Sequence, residues 1–264
     1  MTKLLTGLLT LILSIAPTSF AFAEKLVSVM SRPEITQPFL FEKHPSPLAS
    51  VILFPGGRGF MKLKSDGKIR AHKTNFLVRT RALYKAAGFS VAVFEAPSDY
   101  QDSDGMFGGF RYSDEHAEDI AAVVRYLRQQ ADVPVWLIGT SRGTESATNA
   151  AVRRPSLPDG IVLTASMSEE NGKGYALPEM ELSKILVPVM LLGHKADQCW
   201  VTPVDGMQVI KKGLKNARQV VVKEVRGGRP ADSLECAGLS AHGFYGIEAE
   251  VVDNITAFIH QHIR

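Results

Sequence analysis

A serine between glycines is the first residue of this sequence that could act as a nucleophile. Ser141 is the third residue of a Gly-Thr-Ser-Arg-Gly sequence at positions 139–143, and the apolar run 135–138 precedes it. A serine at the tip of a sharp turn from strand to helix presents its hydroxyl above a sheet, and glycines beside it prevent collisions with neighbouring backbone. A chain with 22 glycines contains such a spacing by chance in roughly one case in eight. The prediction that Ser141 is a nucleophile therefore depends on the strand before the motif and the helix-compatible residues 144–151 after it.

A serine hydroxyl needs a base to take its proton, and that base needs a third group to orient it. Asp197 follows the apolar run 187–192 and is the predicted acid. The alternatives are Asp205, which fits the next helix better, and Asp232, which lies in a loop rich in glycine and proline. His242 lies between the last predicted strand and the last predicted helix. It is the predicted base, because this arrangement has the chain order serine, acid, histidine.

His194 is the competing base, since it also follows the run 187–192. It precedes Asp197 in the chain, so the order of the three residues favours a supporting or structural role for it. The other five histidines lie before the sheet core, in the first turn of a helix or at the end of a helix: His44, His72, His116, His260 and His262.

The two cysteines flank the predicted acid and base. Cys199 lies two residues after Asp197, and Cys236 lies six residues before His242. In an oxidising compartment an even pair predicts a disulfide, which would join the acid loop to the base loop. Closure of such a loop adds about 4 kcal/mol to stability, less any strain. No metal site is predicted, because suitably spaced histidines do not accompany the pair.

A glycine-rich loop, Pro-Gly-Gly-Arg-Gly at positions 55–59, follows the apolar run 50–54. The backbone N–H of Gly57 or Arg58, together with that of Arg142, is predicted to bind the negative oxygen that forms during acyl transfer. The loop has neither the P-loop spacing nor the dinucleotide-binding fingerprint. No cofactor is therefore predicted.

Charged and aromatic side chains near these loops are candidates for substrate binding. The guanidinium groups of Arg58 and Arg142 could bind a carboxylate on the substrate, or they could form salt bridges within the protein. Phe107, Trp200 and Phe244 lie on loops at the same end of the predicted sheet and could line the substrate pocket. Packing without a binding role is the alternative for all three.

The elements that position these residues alternate regularly along the chain. The runs 26–30 and 38–42 predict a hairpin-like edge. Buried strands are predicted at 50–54, 89–94, 134–138, 160–164, 187–192 and 219–225, with helices at 74–87, after Ser113 or Asp114, at 144–152 and at 247–260. Such alternation predicts a mostly parallel sheet with helices on both faces. Ligands of such sheets bind beyond the carboxyl ends of the strands, where the candidate residues are placed.

The first 23 residues have the features of an export signal. Lys3 is followed by an uncharged apolar run to Ala16, and the segment ends in Ala-Phe-Ala at positions 21–23. This pattern predicts cleavage after Ala23 and a secreted or periplasmic protein; a membrane anchor is the alternative, but the run is short for a span. Residues 24–264 then form one predicted domain of 241 residues. The net charge of +3 is too small to indicate nucleic acid or an anionic membrane as a partner.

Taken together, these motifs resemble the α/β-hydrolase superfamily over nearly the whole of residues 24–264. The residues that carry the resemblance are the 55–59 loop, the 139–143 motif, Asp197 and His242. The short connection 165–186 leaves no room for a large helical cap, and in this the chain is similar to compact members such as dienelactone-hydrolase-like proteins and small esterases. It differs from dienelactone hydrolase in having serine instead of cysteine at the nucleophile position.

The sequence therefore predicts an exported serine hydrolase that cleaves small carboxylic esters through an acyl-enzyme on Ser141. A peptidase or acyltransferase with the same three residues is one alternative. A binding protein that keeps the fold without catalysis is another.

Overall fold

The computed structural model describes residues 24–263, so the predicted export signal at 1–23 lies outside the described residues. Within these described residues, eight strands form one sheet. They are β1 (Lys25–Arg32), β2 (Ile35–Glu42), β3 (Ala49–Phe54), β4 (Phe89–Phe94), β5 (Val135–Ser141), β6 (Gly160–Ser166), β7 (Val189–His194) and β8 (Val220–Val225). Across residues 24–263, no helix is both long enough and apolar enough to cross a membrane.

The strands lie in the order β1-β2-β4-β3-β5-β6-β7-β8. β1 and β2 form the predicted antiparallel edge, β2 pairs antiparallel with β4, and all the other pairs are parallel. The two central strands, β3 and β5, pair in register with Phe54 opposite Gly139. Because the 55–59 loop follows β3 and Ser141 is the last residue of β5, the loop and Ser141 lie side by side at the carboxyl edge of the sheet.

In the part of the chain that the structure describes, five α-helices cover the sheet: α1 (Phe76–Ala86), α2 (Asp114–Gln130), α3 (Gly143–Arg153), α4 (Gly206–Gly213) and α5 (Glu248–His262). The first helix begins later than the predicted Thr74, because the Asn75 side chain accepts a hydrogen bond from the N–H of Leu77 and caps it. Ser113 caps α2 in the same way, accepting from the N–H of His116.

The central strands are buried on both faces, as predicted for a parallel sheet between helices. In β3, Ile52 and Phe54 pack on the side of α2, α3 and α4, whereas Val51 and Leu53 pack on the side of α1 and α5. The edge strand β8 differs, since Val225 is its one buried residue. The predicted mostly parallel sheet with helices on both faces is confirmed.

The connection between β6 and β7 contains two short 3-10 turns, Leu177–Glu179 and Leu182–Lys184. It forms no helical cap over the carboxyl edge of the sheet. The loops that follow the strands therefore form the walls of any binding site there.

Candidate active site

Ser141 is the last residue of β5 and begins the sharp turn that leads to α3. Its φ of +52° lies in the left-handed region, which residues other than glycine rarely adopt. The two glycines of the motif are needed sterically: a side chain at Gly139 would collide with the backbone of Gly143, and one at Gly143 would collide with the carbonyl of Phe54. The local sequence thus forms the strand–turn–helix geometry that exposes a nucleophilic serine.

His242 and Asp197 are hydrogen-bonded to each other in a buried position. His242 Nδ1 lies 3.0 Å from Asp197 Oδ2, and their side chains are 5% and 2% exposed. The other carboxylate oxygen, Asp197 Oδ1, accepts from the N–H of Cys199 at 2.9 Å. These contacts fix the imidazole through Nδ1 and leave Nε2 outside the Asp197 contact.

Thr202 contacts both members of this pair, and sequence reasoning missed it. Its hydroxyl lies 3.1 Å from Asp197 Oδ2 and 3.1 Å from His242 Nδ1, and the residue is buried. A hydroxyl that donates to the carboxylate and accepts from Nδ1–H fixes the two side chains relative to each other. No motif marks it, since its role depends on a loop that folds back on itself after Asp197.

Ser141 and His242 line the same cavity, which has a volume of about 230 Å³. Its walls come from the 55–59 loop, residues 72–76, the turn 139–143 (called the elbow below) and the segment 236–243: Gly56, Gly57, His72, Thr74, Asn75, Phe76, Thr140, Ser141, Cys236, Ala237, Gly238, His242 and Gly243. No hydrogen bond within the described part of the chain joins Ser141 Oγ to His242 Nε2. Catalytic contacts of this kind often tighten when substrate is bound.

The alternative acids and the competing base lie elsewhere. Asp205 is the N-terminal cap residue of α4, and the backbone N–H of Asp232 donates to the carbonyl of Leu239. His194 Nδ1 accepts from the N–H of Ala196 at 3.0 Å, so its Nε2–H donates to the carbonyl of Gly227 at 3.0 Å. Both of its ring nitrogens are occupied, which is the structural role predicted for His194.

The predicted oxyanion donors Gly57, Arg58 and Arg142 occupy different positions relative to the cavity. Gly57 lines the cavity with a φ of +61°, and Arg142 is the cap residue at the start of α3. Across residues 24–263, no hydrogen bond uses the backbone N–H of Gly57 or Arg58. Arg58 is not among the residues that line the cavity. Its backbone N–H, however, belongs to the peptide unit that joins it to Gly57, which does line the cavity.

The guanidinium groups of the two arginines are directed to protein atoms. Arg58 donates to the carbonyl of Ser103. Arg142 forms a salt bridge with Glu145 at 3.0 Å and a hydrogen bond with Asn171. Burial, opposed by the positive charges of Arg111 and Arg142, raises the pKa of Glu145 to about 7. These contacts favour the salt-bridge alternative over recognition of a substrate carboxylate.

None of the three aromatic residues predicted for the pocket lines the cavity. Phe107 packs beneath the guanidinium of Arg142, 5.5 Å from the ring centre. Trp200 is 64% exposed, and Phe244 is fully buried against Phe76 with ring centres 4.9 Å apart. Loop residues have no periodicity from which the direction of their side chains could be predicted. This explains why the observed positions of the three aromatic residues differ from the predicted pocket lining.

His72 is a cavity residue that sequence reasoning passed over. Its imidazole faces Gly57 across the cavity wall, and its own φ is +57°. Burial, with Arg58 and Arg111 nearby, lowers the pKa of His72 below its ordinary value. The side chain is therefore neutral at neutral pH. No local pattern identifies it, because the 55–72 segment is irregular and only the folded chain returns it to the cavity.

Cys199 and Cys236 form the predicted disulfide, with their Cα atoms 4.6 Å apart. Cys236 also lines the cavity. The bond therefore joins the loop that carries Asp197 to the segment that leads to His242. Within residues 24–263, no three His, Cys, Asp or Glu side chains are grouped so that they could hold a metal ion.

Comparison of sequences finds no matching family model and no matching curated protein. Comparison of structures does find relatives. The dienelactone hydrolase of Anabaena variabilis is 13% identical over 92% of this chain and 99% of its own, with a TM-score of 0.63. A Pyrococcus furiosus esterase is 13% identical over 96% of both chains, also at 0.63. A lidless α/β serine hydrolase of Xanthomonas campestris is 15% identical over 89% of this chain and 96% of its own, at 0.55. At such low identity the likeness establishes the fold.

Proposed function

Because this chain has the α/β-hydrolase fold without a lid, we propose that it is a serine hydrolase that cleaves carboxylic esters. Ser141 is the nucleophile, His242 the base and Asp197 the acid of this proposal. The observation that carries it is the 3.0 Å hydrogen bond between His242 Nδ1 and Asp197 Oδ2, made by a histidine that lines the same cavity as Ser141. An imidazole oriented through Nδ1 can accept a serine proton at Nε2. The esterase and hydrolase activities named for the structural relatives agree with this chemistry.

In the proposed reaction, Ser141 Oγ attacks the carbonyl carbon of the ester while its proton passes to His242 Nε2. The carbonyl electron pair moves to oxygen, and the N–H groups of Arg142 and of Gly57 or Arg58 bind the resulting oxyanion. The tetrahedral intermediate collapses, and the alcohol leaves with the proton from His242. Water then attacks the acyl-serine with the same base, which releases the acid and restores Ser141.

The cavity supports small esters as the substrate class. Its volume of about 230 Å³ lies between Ser141, His242 and the 55–59 loop, which is called the oxyanion loop below after its proposed role. This volume has space for a short acyl group. The alcohol side then extends toward solvent, since no cap closes the carboxyl edge of the sheet.

Labelling with a fluorophosphonate probe tests the nucleophile directly. The wild-type protein is expected to be labelled, and Ser141→Ala is expected to lose both labelling and ester hydrolysis. Ser156→Ala is the matched control, because Ser156 is an exposed serine distant in the chain from the elbow. Folded wild-type protein that neither reacts with the probe nor hydrolyses short-chain esters would overturn the proposal. Products formed with added alcohol or amine acceptors distinguish hydrolysis from acyl transfer.

Export is a separate part of the proposal. It is supported by the signal-like sequence at 1–23 and by the disulfide, which persists in oxidising compartments. N-terminal sequencing of the protein recovered from the periplasm or medium of a bacterial host is expected to begin at Glu24. Recovery of the chain only inside the cell, with residues 1–23 intact, would contradict export.

A further inference from the structure

A buried arginine lies behind the 55–59 loop. Arg111 is 1% exposed and belongs to the short 3-10 turn Phe110–Tyr112, which precedes α2. Among the described residues no carboxylate forms a salt bridge with it. Burial lowers the pKa of Arg111 to about 10, so the group remains a cation at neutral pH. A buried cation without a directly paired carboxylate is costly to a protein, and its other contacts must therefore account for its position.

Those contacts are with the oxyanion loop (55–59) and with helix α3. Arg111 Nη2 donates to the carbonyl of Pro55 at 3.0 Å and to the carbonyl of Gly57 at 3.3 Å. Arg111 Nη1 donates to the hydroxyl of Ser146 at 2.5 Å. Ser146 is on α3, one turn and a half after Ser141. The guanidinium thus connects the loop that follows β3 to the helix that follows the nucleophile.

The direction of the two carbonyl groups determines the direction of two N–H groups. A trans peptide unit is planar, so its C=O and N–H point in opposite directions. The unit that contains the Pro55 carbonyl also contains the N–H of Gly56, and the unit that contains the Gly57 carbonyl contains the N–H of Arg58. Both N–H groups are therefore directed away from Arg111, and Gly56 and Gly57 line the cavity.

The packing around Arg111 leaves little freedom for this arrangement. Gly59 has a φ of +71°, and a side chain at this position would collide with the Arg111 guanidinium and with Met106. The chain therefore passes close to the guanidinium only because a glycine is present. His116 completes the cluster, with Nε2 lying 2.9 Å from the Ser146 hydroxyl.

We infer that Arg111 is a positioning residue for the oxyanion loop: its hydrogen bonds to two carbonyl groups orient the N–H of Gly56 and Arg58 toward the cavity. Its positive charge, placed behind the loop, also favours negative charge that develops on the substrate oxygen. This inference rests on the proposed ester hydrolysis for its kinetic consequence. The orientation of the loop itself does not depend on that function.

Kinetics of Arg111 variants test the consequence. Arg111→Met removes all three hydrogen bonds and is expected to lower kcat by about 100-fold, the usual cost of a lost oxyanion donor, with KM nearly unchanged. Arg111→Lys keeps the charge and is expected to retain part of kcat. Added guanidinium ion, below denaturing concentrations, is expected to restore part of kcat to Arg111→Gly. A purely structural role would produce neither the split between kcat and KM nor the rescue.

Arg32→Met is the matched control, because Arg32 is also largely buried but binds Asp99 and Asp119 near β1. It is expected to retain wild-type kcat. A folded Arg111→Met protein with wild-type kcat would overturn the inference, as would Arg111→Lys and guanidinium-treated Arg111→Gly proteins that stay as inactive as Arg111→Met.

Amide NMR spectra of wild type and Arg111→Lys give a readout that needs no activity. The resonances of Gly56 and Arg58 are expected to shift strongly, whereas those of the edge strand β8 stay in place. Unchanged Gly56 and Arg58 resonances would overturn the inference even if ester hydrolysis were established. Conversely, a wild-type protein that fails the fluorophosphonate test overturns the proposed function, while the shifts of Gly56 and Arg58 still decide whether Arg111 orients the loop.

Discussion

The two sides of the cavity are held in place by different kinds of interaction. On the side of the 55–59 loop, called the oxyanion side after its proposed role, buried polar side chains bind the backbone: Arg111 donates to two carbonyl groups of the loop, and Glu95, 1% exposed, accepts from the N–H groups of Met61, Leu63 and Ala96 at 2.7, 3.0 and 2.9 Å. On the side of Asp197 and His242, called the acid and base side after their proposed roles, every residue from 226 to 236 is exposed. There a disulfide joins the segment to the Asp197 loop.

The difference follows from what water does to each kind of contact. Hydrogen bonds fix a loop strongly when they are buried, because water cannot replace them and an unmade bond is costly. An exposed segment gains little from such bonds, whereas a covalent bond constrains it regardless of exposure. We therefore expect the acid and base side to respond to reductant and the oxyanion side to respond to loss of buried polar groups and to pH.

The largest effect is expected for Cys199→Ser with Cys236→Ser. The disulfide closes a loop with a sequence separation of 37, and its loss is expected to lower the free energy of unfolding by about 4 kcal/mol. Ester turnover should fall as well, because the Asp197 loop and the His242 segment lose their covalent link. Urea unfolding and turnover of the variant are the measurements, and wild type treated with reductant should behave in the same way. An unchanged unfolding midpoint would show that the exposed segment is held by other contacts.

A smaller loss of stability is expected for Glu95→Gln. The amide can accept on one oxygen only, so its NH₂ group would face a backbone N–H that the carboxylate satisfied. Such an unpaired buried donor costs about 1–3 kcal/mol. Hydrogen exchange at Met61 and Leu63 should accelerate, while exchange in the 236–243 segment should not change. Glu169→Gln, at an exposed glutamate, is the control. Equal acceleration of hydrogen exchange on both sides of the cavity would contradict the claim that the two sides are held in place independently.

Most of the fold was predictable because its signals are local. The buried strands are short apolar runs, and the chain order of Ser141, Asp197 and His242 follows the order of those strands. The exposed edge strand β8 carries a weaker signal, and its low burial was not foreseen. The disulfide was predictable from the number and spacing of the cysteines, since two cysteines allow one pairing.

The residues that sequence reasoning missed act through tertiary contacts. Arg111, His72 and Thr202 lie in irregular segments with no motif, and each reaches the site only when two distant loops come together. The same cause explains Phe107, Trp200 and Phe244, whose positions in the chain did not determine which way they face. Irregular loops derive their conformation from buried polar partners, and such partners can be identified only after the fold is known.

The smallest effect at neutral pH, and the one that best separates the two sides, concerns His116. Burial, together with the nearby Arg111 and Arg32, holds the pKa of this imidazole well below its ordinary value, so it stays neutral in the folded protein. The unfolded chain gains a proton below about pH 6.5, and the folded chain does not, so stability is lost as pH falls through this range. While His116 stays neutral in the folded protein, each further pH unit well below 6.5 costs about 1.4 kcal/mol of stability. His116→Gln lacks the titrating group, so the difference in unfolding free energy between variant and wild type should be constant from pH 8 to 7 and then shift in favour of the variant.

The same shift should appear without the disulfide, because Cys199 and Cys236 do not contact the Arg111–Ser146–His116 cluster. Parallel pH profiles for His116→Gln and wild type would contradict a buried neutral His116. A shift that is absent from the protein without the disulfide would show that the two sides are coupled.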